Sequence, residues 1–190
     1  MKFSEYKLTD KNTAHDYGVR YYDQLFEPFL DKKIDLLELG VQHGGCILAF
    51  TNVLKQAQIF GIDKNLNQNK YKTQQEETRR VKLFEIELYT KNTKKLVDEQ
   101  LGDQKFDIII DDASHIHPHQ LLAFEIFYKR LKSGGTYVIE DVLNKKALVE
   151  GIQKITKSGM IEVIDLREFK HKLTDDIIVE VKKPLFVTLL

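Results

Sequence analysis

The stretch Phe106-Asp107-Ile108-Ile109-Ile110-Asp111-Asp112-Ala113-Ser114-His115 decides the fold. Its apolar run is bounded by Lys105 and carboxylates and lacks the alternation of a half-exposed strand, so it reads as a parallel strand buried on both faces. The run stops at Asp-Asp-Ala-Ser-His. In an open α/β sheet, ligands sit at the carboxyl ends of the strands. An acidic pair followed by a histidine therefore stands where chemistry is done. Alone, the stretch reads equally well as two solvated turn acids and a capping histidine, and the rest of the chain decides between the two.

Similar runs recur on both sides, each followed by a helical pattern. Upstream, Asp35-Leu36-Leu37-Glu38-Leu39-Gly40 reads as the first strand. A glycine-containing turn follows, Gly40-Val41-Gln42-His43-Gly44-Gly45, then a helix with Ile47, Phe50, Val53, Leu54 and Ala57 on its buried face. Ile59-Phe60-Gly61-Ile62-Asp63 is the second strand and Val81 to Glu87 the third. Between them, Asn65 to Arg80 is almost wholly polar and reads as a solvent-facing helix or loop. Asn92 or Thr93 opens a helix with Leu96, Val97 and Leu101 inside, stopped by Gly102. Downstream of the opening stretch, Pro118 suits the first turn of a helix carrying Leu121, Phe124, Tyr128 and Leu131, which Gly134-Gly135 ends. Thr136-Tyr137-Val138-Ile139-Glu140-Asp141 is the fifth strand and again closes on two carboxylates. Gly151 interrupts the helical pattern around Leu143 to Lys157. Met160 to Leu166 and Asp176 to Val181 look like a final antiparallel pair, and the apolar tail Leu185 to Leu190 has no evident place. Ahead of all these, Tyr22, Leu25, Phe26 and Phe29 recur at helical spacing, with Thr13 or Asp16 as cap and Pro28 in the last turn.

Such alternation predicts an α/β fold: a doubly wound, mostly parallel Rossmann-like sheet with an antiparallel C-terminal strand pair. A barrel would need eight units. The expectation is one domain over residues 1–190, with an N-terminal helical segment over 1–30 and a Rossmann-like core over 31–190. At 190 residues, with 42% hydrophobic and 31% charged, the chain is long enough for one substantial core and too apolar for disorder. Lys+Arg and Asp+Glu stand at 29 each, so no overall field favours nucleic acid or an anionic membrane surface. The single cysteine, Cys46, excludes an intramolecular disulfide and fits a reducing compartment. No run reaches membrane-spanning length, and Lys2, Glu5 and Lys7 do not make a signal peptide. A cytoplasmic location is expected.

Strand, glycine turn and helix together bring a ligand against main chain and a helix N-terminus. The Gly-x-Gly-x-x-Gly dinucleotide fingerprint is absent; the pattern is Glu-x-Gly-x-x-x-Gly-Gly. Asp63, ending the second strand about twenty residues beyond the turn, stands where a carboxylate accepts hydrogen bonds from a ribose diol. Its plainer role is to cap the polar segment that follows. Glu87 is placed to reach an adenine amino group. The acids after strands four and five converge, so Asp112, Glu140 and Asp141 offer an all-oxygen site for a hard cation such as Mg²⁺. Without a cation, three such carboxylates repel one another. His115 beside them is suited to accept a proton from a hydroxyl. His115, His117 and His119 also invite a zinc reading, against which stand Pro118 between them and the lack of a cysteine partner.

These residues resemble a known family. Glu-Leu-Gly-Val-Gln-His-Gly-Gly and Gly61-Ile62-Asp63 resemble the cofactor motifs of class I S-adenosylmethionine-dependent methyltransferases. Three further features resemble the metal-dependent sugar O-methyltransferases of macrolide tailoring, the macrocin and mycinamicin type. These are Thr-Asp-Lys-x-x-x-His-x-Tyr at Thr9 to Tyr17, Asp-Asp-x-Ser-His at Asp111 to His115, and Ile-Glu-Asp at Ile139 to Asp141. The resemblance implies metal ligands at Asp112, Glu140 and Asp141 with His115 as general base. It implies S-adenosylmethionine contacts from Glu38, Gly40 and Asp63, with Gly44, Glu87 and Asp111 counted on the same side. It also places His15 and Tyr17 in the cofactor or acceptor pocket, although spacing alone makes them surface residues. Two departures from the family pattern stand out. The chain is short and is expected to lack the extra N-terminal domain of some relatives, and Gln42 occupies a position that is otherwise glycine.

The implied reaction is transfer of a methyl group from S-adenosylmethionine to a hydroxyl of a sugar, glycan or other small molecule, with Mg²⁺ as a further cofactor. A homo-oligomer remains open. The alternatives are a nucleic-acid methyltransferase of the same fold, which the neutral charge disfavours, and a non-catalytic cofactor-binding module.

Overall fold

The computed structural model describes residues 1–168 and 175–185, the side chain of Glu76 excepted. Seven strands form a mostly parallel sheet with an antiparallel C-terminal pair, the expected fold class. The chain divides into two compact units, Met1–Glu85 and Ile86–Leu190. Among the described residues no helix is long and apolar enough to cross a membrane.

The first unit opens with two short helical pieces ahead of the helix expected from the apolar stripe, and that helix runs without a break from Gly18 to Phe29. A 3₁₀ turn (Phe3–Glu5), α1 (Asp10–Thr13), a π-helical turn (Gly18–Tyr22), α2 (Asp23–Phe26) and a second 3₁₀ turn (Glu27–Phe29) follow one another. Thr13 ends α1, whereas Asp16 directly precedes the longer helical run, its carbonyl accepting from the Arg20 amide at 3.3 Å. Thr9 caps α1, its hydroxyl accepting from the Lys11 amide at 3.2 Å. Asp16 takes a left-handed φ of 55° and separates α1 from that run. The buried Asn12 amide donates to the carbonyls of Phe3 and Tyr6, both at 2.7 Å, and folds the N-terminus back over α1. Pro28 lies in the last turn, as expected. The apolar face buries Tyr22 and Phe26 against Phe3 and Phe50, with ring centroids 5.2–5.6 Å apart for Phe3–Tyr22, Phe3–Phe26 and Phe26–Phe50.

Then come β1 (Asp35–Leu39), α3 (Gly45–Val53), β2 (Gln58–Asp63), α4 (Lys72–Glu77) and β3 (Val81–Glu85). The three strands are parallel in the order β3-β2-β1, with Asp35 beside Gln58 and Asp63 beside Glu85. Leu36 to Leu39 are all buried, which explains the missing alternation. α3 ends at Val53, short of the expected Ala57, although Leu54 and Ala57 remain in the core. Arg80 satisfies the carbonyls there, donating to Thr51 at 2.6 Å, Leu54 at 2.9 Å and Ala57 at 3.0 Å. β3 stops at Glu85, leaving Glu87 outside it.

The second unit contains α5 (Thr93–Leu101), β4 (Phe106–Asp111), α6 (His117–Phe127), β5 (Leu131–Ile139), α7 (Lys145–Ile155), β6 (Met160–Asp165) and β7 (Ile177–Lys182). β4 and β5 are parallel, and β7 runs antiparallel to both β5 and β6. Two glycine readings need correction. Gly134-Gly135 does not end α6, which stops at Phe127; both lie inside β5, where the register slips between the Phe106–Leu131 and Ile108–Thr136 pairs. A Cβ on Gly135 would come within 2.8 Å of the Asp107 carbonyl, so the slip needs the missing side chain. Gly151 does not interrupt α7 either. It lies within the helix, and a Cβ there would meet the Leu121 side chain of α6 at 2.5–2.6 Å. Of the apolar tail, residues 186–190 lie outside the described residues.

Candidate active site

In the first unit, β1 delivers the chain into the glycine turn. Glu38 is fully buried near the end of the strand, and Gly40 and Gly44 adopt φ of 91° and 81°. Gln42 also takes a left-handed φ, 46°. The Gly44 amide closes the turn on the Val41 carbonyl at 2.8 Å. Asp63 holds the turn from the end of β2: its Oδ2 accepts from the Gln42 amide at 2.8 Å, while Oδ1 accepts from the Asn65 amide at 2.9 Å. The capping role of Asp63 is therefore present, together with a tie to the turn. Each carboxylate oxygen has a second lone pair, and Asp63 is only half-buried, so hydroxyls of a diol can still be accepted.

Gly44 precedes α3, whose N-terminus carries no side-chain cap. Its first amides suit a ligand carboxylate. An uncapped helix N-terminus and an acid at the neighbouring strand end fit the two ends of an amino-acid nucleoside. The Thr9–Tyr17 motif is anchored at the same turn. Thr9 Oγ1 lies 2.8 Å from Cys46 Sγ, and the Leu8 carbonyl sits where a Cβ on Gly45 would be. Tyr17 is fully buried, which corrects its reading as a surface residue, and its ring lies 4.9 Å from that of the half-buried His15. The sequence offered no signal for Gln75, taken as part of a solvated face. It is 1% exposed, and its Nε2 donates to the Gly44 carbonyl at 2.9 Å. Nor did it mark Glu85, which ends β3 beside Asp63 and accepts from the Leu66 amide at 3.1 Å.

In the second unit, the ends of β4 and β5 carry the acids. The pair Asp111-Asp112 divides its roles. Asp111 points inward, 2% exposed, and burial pushes its carboxyl up to about 8; the Asp112 charge adds to that and the Ala113 amide partly offsets it. At neutral pH such a carboxyl largely keeps its proton. Burial and the Asp111 charge likewise push up the hydroxyls of Tyr89 and Tyr137. Asp112 instead joins His115 and Asp141 in a group whose ligand atoms lie within 4.8 Å of one another. His115 Nε2 is 3.8 Å from Asp112 Oδ1, and Nδ1 is 3.7 Å from Asp141 Oδ2, both beyond hydrogen-bond length.

The two carboxylates are oxygen donors that suit a hard divalent cation, with the imidazole beside them. His115 and Asp141 both sit at left-handed φ, 55° and 52°. For residues other than glycine that conformation costs about 1–3 kcal/mol each, a strain that clusters at functional sites. Glu140 is buried at the end of β5, but the group does not include its carboxylate. Its main chain helps fix the geometry: the Glu140 amide donates to the Asp111 carbonyl, and Gln120 Nε2 donates to the Glu140 carbonyl, both at 3.0 Å. Glu87 is exposed and its carbonyl accepts from Thr93 Oγ1 at 3.0 Å. The three histidines do not form a metal group among the described residues. His119 instead stacks on Tyr89, 4.1 Å between ring centroids, with Nδ1 3.0 Å from Ser114 Oγ.

A family model described as a methyltransferase domain matches residues 30–178. An 8-demethyl-8-alpha-L-rhamnosyl tetracenomycin-C 2'-O-methyltransferase of Streptomyces olivaceus is 30% identical over 141 residues, covering 70% of this chain and 35% of the relative. The mycinamicin VI 2''-O-methyltransferase of Micromonospora griseorubida is 26% identical over 64% of this chain and 30% of its own length. The demethylmacrocin O-methyltransferase of Streptomyces fradiae is 27% identical, over 71% and 34% respectively. The chain thus spans about a third of the length of the curated relatives it matches. Among solved structures, the MycE methyltransferase of mycinamycin biosynthesis, in complex with Mg, SAH and mycinamycin VI, superposes with a TM-score of 0.71 at 19% identity. That match covers 100% of this chain and 57% of the other, and at this identity the likeness is one of fold.

Proposed function

The chain belongs to the methyltransferase-domain family, and we propose that it is an S-adenosylmethionine-dependent O-methyltransferase acting on a hydroxyl of a sugar, glycan or other small molecule. One observation carries the reading. Asp112, His115 and Asp141 gather at the carboxyl ends of two adjacent parallel strands, with two of the three residues in strained backbone. The relatives named as sugar O-methyltransferases support the acceptor class. So does the balance of 29 basic against 29 acidic residues, which gives no field for a nucleic acid.

In this reading the first unit holds the cofactor. Asp63 accepts from the ribose diol, the amides opening α3 take the amino-acid carboxylate, and Gly40 and Gly44 keep side chains out of the turn. S-adenosylmethionine, when bound, supplies a methyl group on a sulfonium that is already an excellent leaving group. Asp112 and Asp141 would hold Mg²⁺, which when bound would lower the pKa of an acceptor hydroxyl. His115 accepts the proton of that hydroxyl, its ring kept in place between two carboxylates. Because the chemistry asks little beyond alignment and deprotonation, positioning carries most of the rate.

The test is methyl transfer to a panel of glycosides with vicinal hydroxyls, in the presence of S-adenosylmethionine and Mg²⁺. Gain of one methyl group on oxygen by mass spectrometry, lost on chelation and restored by Mg²⁺, is expected. Methylation of RNA with every glycoside left unmodified would contradict the acceptor class.

A further inference from the structure

We infer that Asn69 and Gln75 form a latch that holds the glycine turn in its ligand-binding shape, which makes both of them positioning residues for the cofactor. The inference rests on the proposal that this turn binds S-adenosylmethionine. The segment that carries the latch, Asn65 to Arg80, has the composition of a solvated surface, yet Gln75 is 1% exposed. Its amide is used at both ends. Nε2 donates to the Gly44 carbonyl at 2.9 Å, and Oε1 accepts from Asn69 Nδ2 at 2.6 Å. Asn69 is oriented in turn, its Oδ1 accepting from the Tyr71 amide at 3.0 Å. A main-chain bond from the Lys70 amide to the His43 carbonyl, 3.1 Å, adds a second tie to the same turn.

The latch acts on the residue whose geometry matters most. Gly44 has φ of 81°, and a Cβ there would collide with both amides, coming within 2.7 Å of Gln75 Nε2. Its carbonyl also accepts the first helical bond of α3, from the Leu48 amide at 3.1 Å. Gln75 therefore fixes the peptide plane at which the turn becomes the helix. Asp63 holds the other side of the turn through the Gln42 amide. With Asp63 on one side and Gln75 on the other, the amides that face a ligand are ordered before it arrives, and binding loses less entropy. Without Gln75, the Gly44 peptide keeps its helical bond but loses its side restraint, and glycine makes that peptide mobile.

The experiment uses Gln75→Met, which keeps the buried volume and removes both of its hydrogen bonds, and Asn69→Ala, which removes the outer one together with the bond from the Tyr71 amide. S-adenosylhomocysteine affinity is measured by calorimetry, and amide hydrogen exchange is followed over residues 40–46. Dissociation constants about tenfold weaker for Gln75→Met and about threefold weaker for Asn69→Ala are expected, since roughly 1.4 kcal/mol corresponds to tenfold. Exchange over 40–46 should rise while β1 and β2 stay protected, and KM for S-adenosylmethionine should rise more than kcat falls. A purely structural Gln75 gives a lowered melting temperature with wild-type affinity and unchanged exchange in the turn, and that result overturns the inference. Failure of the wild type itself to bind S-adenosylhomocysteine overturns the cofactor reading, and the latch's purpose with it.

Discussion

At the scale of single residues, conformation is as informative as chemical type. Of the five described residues other than glycine at positive φ, four (Asp16, Gln42, His115 and Asp141) lie in the motifs that the sequence singles out. His115 is the sharpest case, because its backbone needs a residue at ease in the left-handed region. Asparagine is at ease there, so His115→Asn separates chemistry from strain better than alanine does. We expect kcat to fall about 10²–10⁴-fold, the usual contribution of a positioned proton acceptor, with little change in melting temperature. A capping role would reverse that pattern. At Gln42 the same logic gives a stability prediction. Gln42→Gly should stabilise by about 0.5 kcal/mol by relieving the left-handed strain, and Gln42→Val should destabilise by about 1–2 kcal/mol. Thermal unfolding of the two variants checks the sign. Asp63, Asp112, His115 and Asp141 were legible because strand ends and glycine turns punctuate the sequence around them. Gln75 was not, because a glutamine among lysines, asparagines and glutamates has no periodicity, and its burial comes from a tertiary bond to Gly44.

At the scale of elements, the strands were read most closely, since runs buried on both faces leave a plain apolar signature, as in Phe106 to Asp111. Boundaries set by glycine were misread where glycine serves close approach rather than a turn. Gly151 lets α7 meet Leu121 of α6, and Gly135 lets β5 pass the Asp107 carbonyl; neither contact is written in local sequence. The N-terminal helix was legible from its apolar stripe and Pro28, but the short pieces ahead of it depend on Asn12 and Asp16, whose side-chain and backbone geometry such a stripe does not report. One tie between elements titrates. Asp165 at the end of β6 is held well below the usual carboxylate range, first by Arg167 and then by Lys145 at the start of α7. The unfolded chain binds this proton more readily than the folded one, so the contribution is present above the ordinary carboxylate pKa and lost as pH falls below it. We expect the melting temperature of Asp165→Asn to fall less than that of the wild type on acidification below about pH 4. The difference should shrink in high salt, because the pair is solvent-exposed.

At the scale of the whole molecule, the proposed labour is divided by unit: the first carries the glycine turn with Asp63, and the second carries Asp112, His115 and Asp141. This division makes cofactor and metal binding separable by mutation. The measurement that tests the account most directly is calorimetric titration with S-adenosylhomocysteine and, separately, with Mg²⁺, because neither requires the acceptor to be known. One molecule of S-adenosylhomocysteine is expected to bind per chain. Asp63→Ala should lose about 1.5–3 kcal/mol of that affinity, the range for charge-assisted hydrogen bonds. The double variant Asp112→Asn, Asp141→Asn should bind S-adenosylhomocysteine as the wild type does and lose Mg²⁺. Absence of S-adenosylhomocysteine binding by the wild type, or Mg²⁺ binding that survives in the double variant, would contradict the account.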